Sequence, residues 1–142
     1  MSNFRGFVVL NQPNVSPVIT SGRKYRLRND VEYAWCGNYQ HKIKIFSGYA
    51  FDGATVPKIV NWFLTPMSPR VVASSLLHDA LYTNPDLMGI GFYSVGGVKM
   101  RKTWSKQEAD LLFKACNEAN NMSKNRAEIT YWAVRLFGRG NF

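Results

Sequence analysis

The chain has 142 residues, 46% of them hydrophobic and 14% aromatic, with a net charge of +9. This composition excludes a disordered segment, and two cysteines 80 positions apart, Cys36 and Cys116, exclude a disulfide-stapled scaffold. No run approaches the roughly 18 apolar residues needed to span a bilayer, and no signal-peptide core follows Arg5, so a single domain over residues 1–142, made in the cytoplasm, is expected.

The charge is spread out: residues 1–71 carry 9 basic and 3 acidic groups, and residues 72–142 carry 9 and 6. An acidic neighbour fits this balance, whether nucleic acid, an anionic envelope surface or an acidic protein. Residues 1–50 read as strands. Phe7–Leu10 is a short apolar run closed by Asn11 and Pro13. Tyr25, Leu27, Val31 and Tyr33 alternate in part, and Cys36-Gly37-Asn38 is turn chemistry. His41–Phe46 alternates cleanly, with Ile43 and Ile45 on one side and Lys42 and Lys44 on the other, as in a half-exposed antiparallel strand. His41 reads there as an exposed strand-end residue rather than a ligand.

After Phe51-Asp52-Gly53 the period changes. Thr55-Val56-Pro57 resembles a helix start, with the helix running to about Leu64. Ser68-Pro69 opens a second helix through about Tyr82. Leu87–Met100, with Gly89, Gly91, Gly96 and Gly97, reads as a long loop or irregular hairpin. Ser105-Lys106-Gln107-Glu108 is a capping box opening a third helix, with Leu111, Leu112, Ala115 and Ala119 directed inward. Ser123 caps a last helix, with Ile129, Trp132, Ala133, Leu136 and Phe137 at helical spacing and Gly138 as its stop. The fold class is therefore α+β, an N-terminal antiparallel sheet packed against three to four helices.

The chemistry concentrates in Leu76-Leu77-His78-Asp79-Ala80-Leu81-Tyr82. His78 and Tyr82 are one helical turn apart and share a face. Burying His, Asp and Tyr together is costly unless each finds a partner, so this turn is either a polar network that fixes the core or a site. Asp110, flanked by Lys106 and Lys114 at four-residue spacing, is either half of a surface ion pair or the carboxylate that orients His78. Asp52 sits between a strand and a helix start, as a turn or capping residue or as a ligand. Two histidines and two distant cysteines give no zinc spacing, whereas Asp79 and Asp52 suit a divalent cation such as calcium. Basic residues with aromatics at Arg23–Arg28 and Lys99–Trp104 lack a nucleic-acid fold signature and read as solvated strand edges. Phe113, Trp132 and Phe137 read as core.

Four motifs in order carry a resemblance: Phe51-Asp52-Gly53-Ala54-Thr55-Val56-Pro57, Leu77-His78-Asp79-Ala80-Leu81-Tyr82, Glu108-Ala109-Asp110-Leu111-Leu112-Phe113 and Tyr131–Gly138. Over roughly residues 45–140 the chain resembles a phage and prophage family catalogued as domain of unknown function 1353. The resemblance implies a bacteriophage origin, and it maps the family's polar pattern onto Asp52, His78, Asp79, Tyr82 and Asp110. His78, Asp79 and Tyr82 also have the spacing of the His-Asp helix of secreted phospholipases A2. There the histidine activates water, the adjacent acid binds calcium, and an acid on an antiparallel helix orients the histidine. Leu81 stands where that motif has cysteine, and its disulfides and calcium loop are missing here.

Two functional expectations follow. One is a virion-associated hydrolase of lipid or cell-envelope bonds, with His78, Asp110 and Tyr82 catalytic and Asp79 and Asp52 at a cation. The other is a non-enzymatic virion protein of the tail or neck, whose partners are phage structural proteins. Either would be made in the host cytoplasm and carried in the virion.

Overall fold

The structure, a computed structural model, describes residues 4–17, 25–37, 39–51 and 69–142. The helix expected from Thr55 lies outside the described residues, as does Asp52. Eight strands and three helices are described: β1 (Val8–Val9), β2 (Val15–Pro17), β3 (Tyr25–Leu27), β4 (Val31–Trp35), β5 (His41–Ile45), β6 (Ala50–Phe51), α1 (Pro69–Thr83), β7 (Gly91–Val95), β8 (Val98–Met100), α2 (Lys106–Ala119) and α3 (Lys124–Phe137). The architecture is α+β.

The larger sheet runs β1-β4-β5-β7-β8 and the smaller β2-β3-β6, with every pairing antiparallel. The β4–β5 register places Val31 opposite Ile45 and Tyr33 opposite Ile43, which stacks four apolar side chains on one face. On the other face Lys44 lies 3.6 Å from Glu32 across the same pair.

The larger sheet is not wholly N-terminal. Leu87–Met100, expected as a long loop or irregular hairpin, is a hairpin that supplies its last two strands, and β7 pairs along the full length of β5. Gly96 and Gly97, at φ 58° and 84°, form the two-residue turn between β7 and β8. Both positions need the left-handed region, so these glycines mark a hairpin rather than slack chain.

The core lies between this sheet and α1 and α2. Val31, Tyr33, Ile43 and Ile45 meet Leu76, Leu77 and Leu81 of α1 and Leu112 and Cys116 of α2. The Tyr33 hydroxyl donates to the Ala73 carbonyl at 2.6 Å, tying the sheet to α1. Burial drives the thiol of Cys116 well above its ordinary range, as expected of a structural cysteine. Trp35 stacks on Phe7, His41 and Tyr93. His41 is accordingly half-buried, with Nδ1 2.7 Å from the Tyr93 hydroxyl, and not the exposed residue its strand-end position implied.

The capping box of α2 forms in both directions, Glu108 N–H to Ser105 Oγ at 3.1 Å and Ser105 N–H to Glu108 Oε1 at 3.0 Å. Its buried arc is Ala109, Asp110, Leu112, Phe113, Cys116 and Asn117, while Ala119, expected inward, is exposed. In α3 the correction is larger. The helix docks through Ala127, Thr130, Tyr131 and Val134, and the more apolar stripe of Ile129, Trp132, Leu136 and Phe137 faces outward. No helix among the described residues is long and apolar enough to cross a membrane.

Candidate active site

His78 and Tyr82 occupy one face of α1, and Asp110 reaches them from α2. Contacts ascend one helix as they descend the other: His78 packs on Phe113, whereas Tyr82 lies under Lys106. The two helices are therefore antiparallel where they cross the site. His78 Nε2 is 3.0 Å from Asp110 Oδ1, and the Tyr82 hydroxyl donates to the same oxygen. All three side chains are fully buried.

The second carboxylate oxygen belongs to two cations. Lys106 Nζ lies 3.1 Å and Arg135 NH1 3.2 Å from Asp110 Oδ2. Lys106 also donates to the carbonyls of Val134 at 2.8 Å and Arg135 at 3.0 Å, in the last turn of α3. A cation there satisfies orphan carbonyls and complements the helix dipole. One carboxylate thus gathers donors from all three helices. The sequence pointed to Lys106 through its four-residue spacing, but as a surface pair; the acid is in fact buried. Lys114, the other flanking lysine, pairs instead with Glu128 at 2.6 Å. Nothing in the sequence pointed to Arg135.

The chain after α3 folds back over Tyr82. A Cβ at Gly138 would lie 2.5 Å from the Val134 carbonyl oxygen and 2.7 Å from the Tyr82 hydroxyl oxygen. Gly138 does stop the helix, but at φ −68°, so close approach to Tyr82 and not a left-handed cap is what requires glycine. Asn141 N–H donates to the Tyr82 carbonyl at 2.8 Å, and Phe142 meets the Tyr82 ring edge-on at 4.9 Å.

Burial lowers the basicity of His78 below the ordinary histidine value; the bond to Asp110 partly opposes this, and the charge of Lys106 adds to it. The imidazole is therefore neutral near pH 7. Burial alone would raise the Asp110 carboxyl, yet the bonds from His78 and Tyr82 and from Lys106 outweigh it and hold the acid below its usual range. Tyr82 is driven up by burial and by the ionised Asp110, so it stays a donor.

Asp79 is also fully buried, but it looks elsewhere. Its Oδ2 accepts from the Tyr49 hydroxyl at 2.5 Å, just ahead of β6, and that hydroxyl is 2.8 Å from Thr83 Oγ1. Neither Tyr49 nor Thr83 was singled out by the sequence, although Thr83 lies four residues after Asp79 on the same stripe. Among the described residues no three His, Cys, Asp or Glu side chains converge.

Residues 25–134 match the family described as Protein of unknown function (DUF1353). The chain belongs to that family. The matched span contains β3 through most of α3, and so every described side chain of the Asp110 network except Arg135. In this DUF1353 protein the motifs at Leu77–Tyr82 and Glu108–Phe113 are thus the two helix segments that face each other across His78 and Asp110. No curated protein sequence and no solved structure gives a significant match to the chain.

Proposed function

We propose that this DUF1353 protein is a small bacteriophage-encoded hydrolase of a lipid or cell-envelope bond, with His78 as its general base and Asp110 and Tyr82 as positioning residues. The 3.0 Å contact between His78 Nε2 and Asp110 Oδ1 carries the reading. An ionised carboxylate on Nε2 fixes the neutral tautomer with its proton there, which leaves the basic lone pair on Nδ1. Nδ1 then takes a proton from water, the water oxygen adds to the carbonyl carbon, and the proton passes to the leaving atom as that bond breaks. Histidine, neighbouring acid, tyrosine one turn on and an acid from an antiparallel helix is the arrangement that secreted phospholipases A2 use for this step. Tyr49 brings the chain to Asp79, and Asp52 follows three residues later. These two carboxylates are the proposed ligands of a divalent cation such as calcium, which would polarise the carbonyl.

One observation favours a second reading. His78, Tyr82 and Asp110 are all inaccessible to solvent, and Asp110 is bonded from three helices. In this reading the network only holds the fold, and the protein is a non-enzymatic component of the virion tail or neck, seated among phage structural proteins.

His78→Asn separates the two. The amide keeps a donor and an acceptor near the ring position but supplies no base. Purified wild type and variant are incubated with phospholipid vesicles and with envelope fragments, with calcium and with chelator, and the released acid is titrated. The hydrolase reading expects release by wild type and none by a variant that melts within a few degrees of it. No release by wild type, or equal release by both, refutes it, and presence of the inactive protein in purified particles supports the virion reading.

A further inference from the structure

We infer that the outer face of α3 is a docking surface for an anionic lipid bilayer. The helix has two apolar stripes on opposite sides. The inner one, Ala127, Thr130, Tyr131 and Val134, is buried against the domain. The outer one is the more apolar, yet Ile129, Trp132, Leu136 and Phe137 are 48%, 51%, 69% and 63% exposed. Scattered exposed apolar residues need no explanation, but four within about 12 Å of one helix form a contiguous strip. Leaving it in water is unfavourable and contributes nothing to the fold, because the helix is already anchored by its other side.

The charges on this face choose the occupant. Arg126 is exposed in the first turn of the helix, before the strip begins, and Arg139, also exposed, follows two residues after its last member. From Lys124 to Phe142 there are four basic residues, of which Arg135 is paired inward with Asp110, and one acid. That acid, Glu128, is neutralised by Lys114 at 2.6 Å and accepts from the Trp132 indole at 3.0 Å. An apolar band of Trp, Phe, Leu and Ile bordered by arginines matches the boundary between acyl chains and anionic headgroups: the rings and branched chains enter, and the guanidinium groups stay at the phosphates. A second copy of the chain is a poor occupant, since each copy carries +9 and brings the same arginines to the contact. Docking also has a consequence for the buried network. Lys106 and Arg135 tie Asp110 to the last turn of α3, so the His78–Asp110 pair sits at the C-terminal end of the helix that carries the strip. If the hydrolase reading holds, a phospholipid is the substrate class; the docking itself does not rest on that reading.

The test uses the full chain carrying His78→Asn, so that hydrolysis cannot alter the vesicles. Co-sedimentation is measured with vesicles of phosphatidylcholine alone and of equal phosphatidylcholine and phosphatidylglycerol. Binding to the anionic vesicles is expected to weaken with added salt. Leu136→Glu should reduce it by more than about tenfold, the loss expected for one inserted leucine. Arg126→Gln with Arg139→Gln should reduce it too, with melting temperatures unchanged because all three positions face outward. Trp132→Gln replaces Leu136→Glu if the latter does not fold. No binding to anionic vesicles overturns the inference, as does equal binding by wild type and the apolar-strip variants. A concentration-dependent dimer that Leu136→Glu abolishes assigns the strip to a second copy and also overturns it. Vesicle binding by the His78→Asn chain, with no hydrolysis by wild type, leaves the docking standing and removes the enzyme; hydrolysis of soluble esters by wild type, with no vesicle binding by the His78→Asn chain, does the reverse.

Discussion

Replacing Asp110 by alanine tests how much the fold depends on the network. The substitution strands two fully buried donors, His78 Nε2–H and the Tyr82 hydroxyl, at about 1–3 kcal/mol each. The two cations lose less. Lys106 and Arg135 have side chains 27% and 28% exposed, and Lys106 keeps its two carbonyl partners in α3. After screening by water, their pairing with Asp110 is worth at most about 1 kcal/mol together. The sum is about 2–7 kcal/mol, within reach of the total stability of a small domain. Urea unfolding read by circular dichroism should show this loss with the slope unchanged, and the melting temperature should fall by roughly 15 °C. Asp110→Asn should lie between, because its carbonyl still accepts from His78 and Tyr82. An alanine variant that loses less than about 1 kcal/mol would mean that the donors relax to water, and would refute the reasoning.

The pH dependence of stability has a fixed sign. The folded-state pKa of His78 is below the ordinary value of 6.5, so between the two the unfolded chain binds a proton that the folded chain refuses; stability should be full above pH 6.5, fall as pH drops through that window, and lose this component in His78→Asn, as followed by melting at stepped pH. Asn117 is fully buried in α2, and among the described residues neither atom of its amide meets a hydrogen-bond partner; Asn117→Ala should therefore leave stability unchanged or raise it by up to about 1 kcal/mol, and a larger loss in urea unfolding would reveal an amide that is satisfied.

The starts of the three described helices were legible because they depend on short-range chemistry, and the His78–Asp110 pairing because two helix motifs each carry one buried polar group that needs a partner. Ser105 and Glu108 cap α2 through contacts three residues apart, and His78 with Tyr82 repeats at one turn. The buried arc of α2 was harder to read, since Asp110 and Asn117 belong to it and look polar. With them included, Ala109, Leu112, Phe113, Cys116 and Asn117 follow the helical period. The hairpin of β7 and β8 was hidden by its glycines, two of which form the turn. The α3 face was misread for a different reason. Apolar periodicity names the face that is most hydrophobic, and here the docking face contains Thr130 and Tyr131 while the outer face contains Trp132, Leu136 and Phe137. Arg135, as the partner of Asp110, depends on a tertiary crossing that no local pattern encodes.

Asp110 decides what the buried histidine can be. The bonds from His78 and Tyr82, with that from Lys106, hold the carboxylate ionised although it is itself dry, and Arg135 shares the oxygen that Lys106 meets. An ionised Asp110 keeps the His78 proton on Nε2 and the Tyr82 proton on its oxygen, so neither group has a choice of tautomer or charge near pH 7. A structural network gains stability from such bonds, at a cost in desolvation. The proposed base needs the committed tautomer as well, because its Nδ1 is useful only if the other nitrogen keeps the proton. Lys106 and Arg135 are therefore the informative positions beyond the His–Asp pair. Arg135 meets the site through Asp110, Lys106 also lowers the basicity of His78 by its own charge, and both join the site to the last turn of α3, the helix whose outer strip is the proposed docking surface.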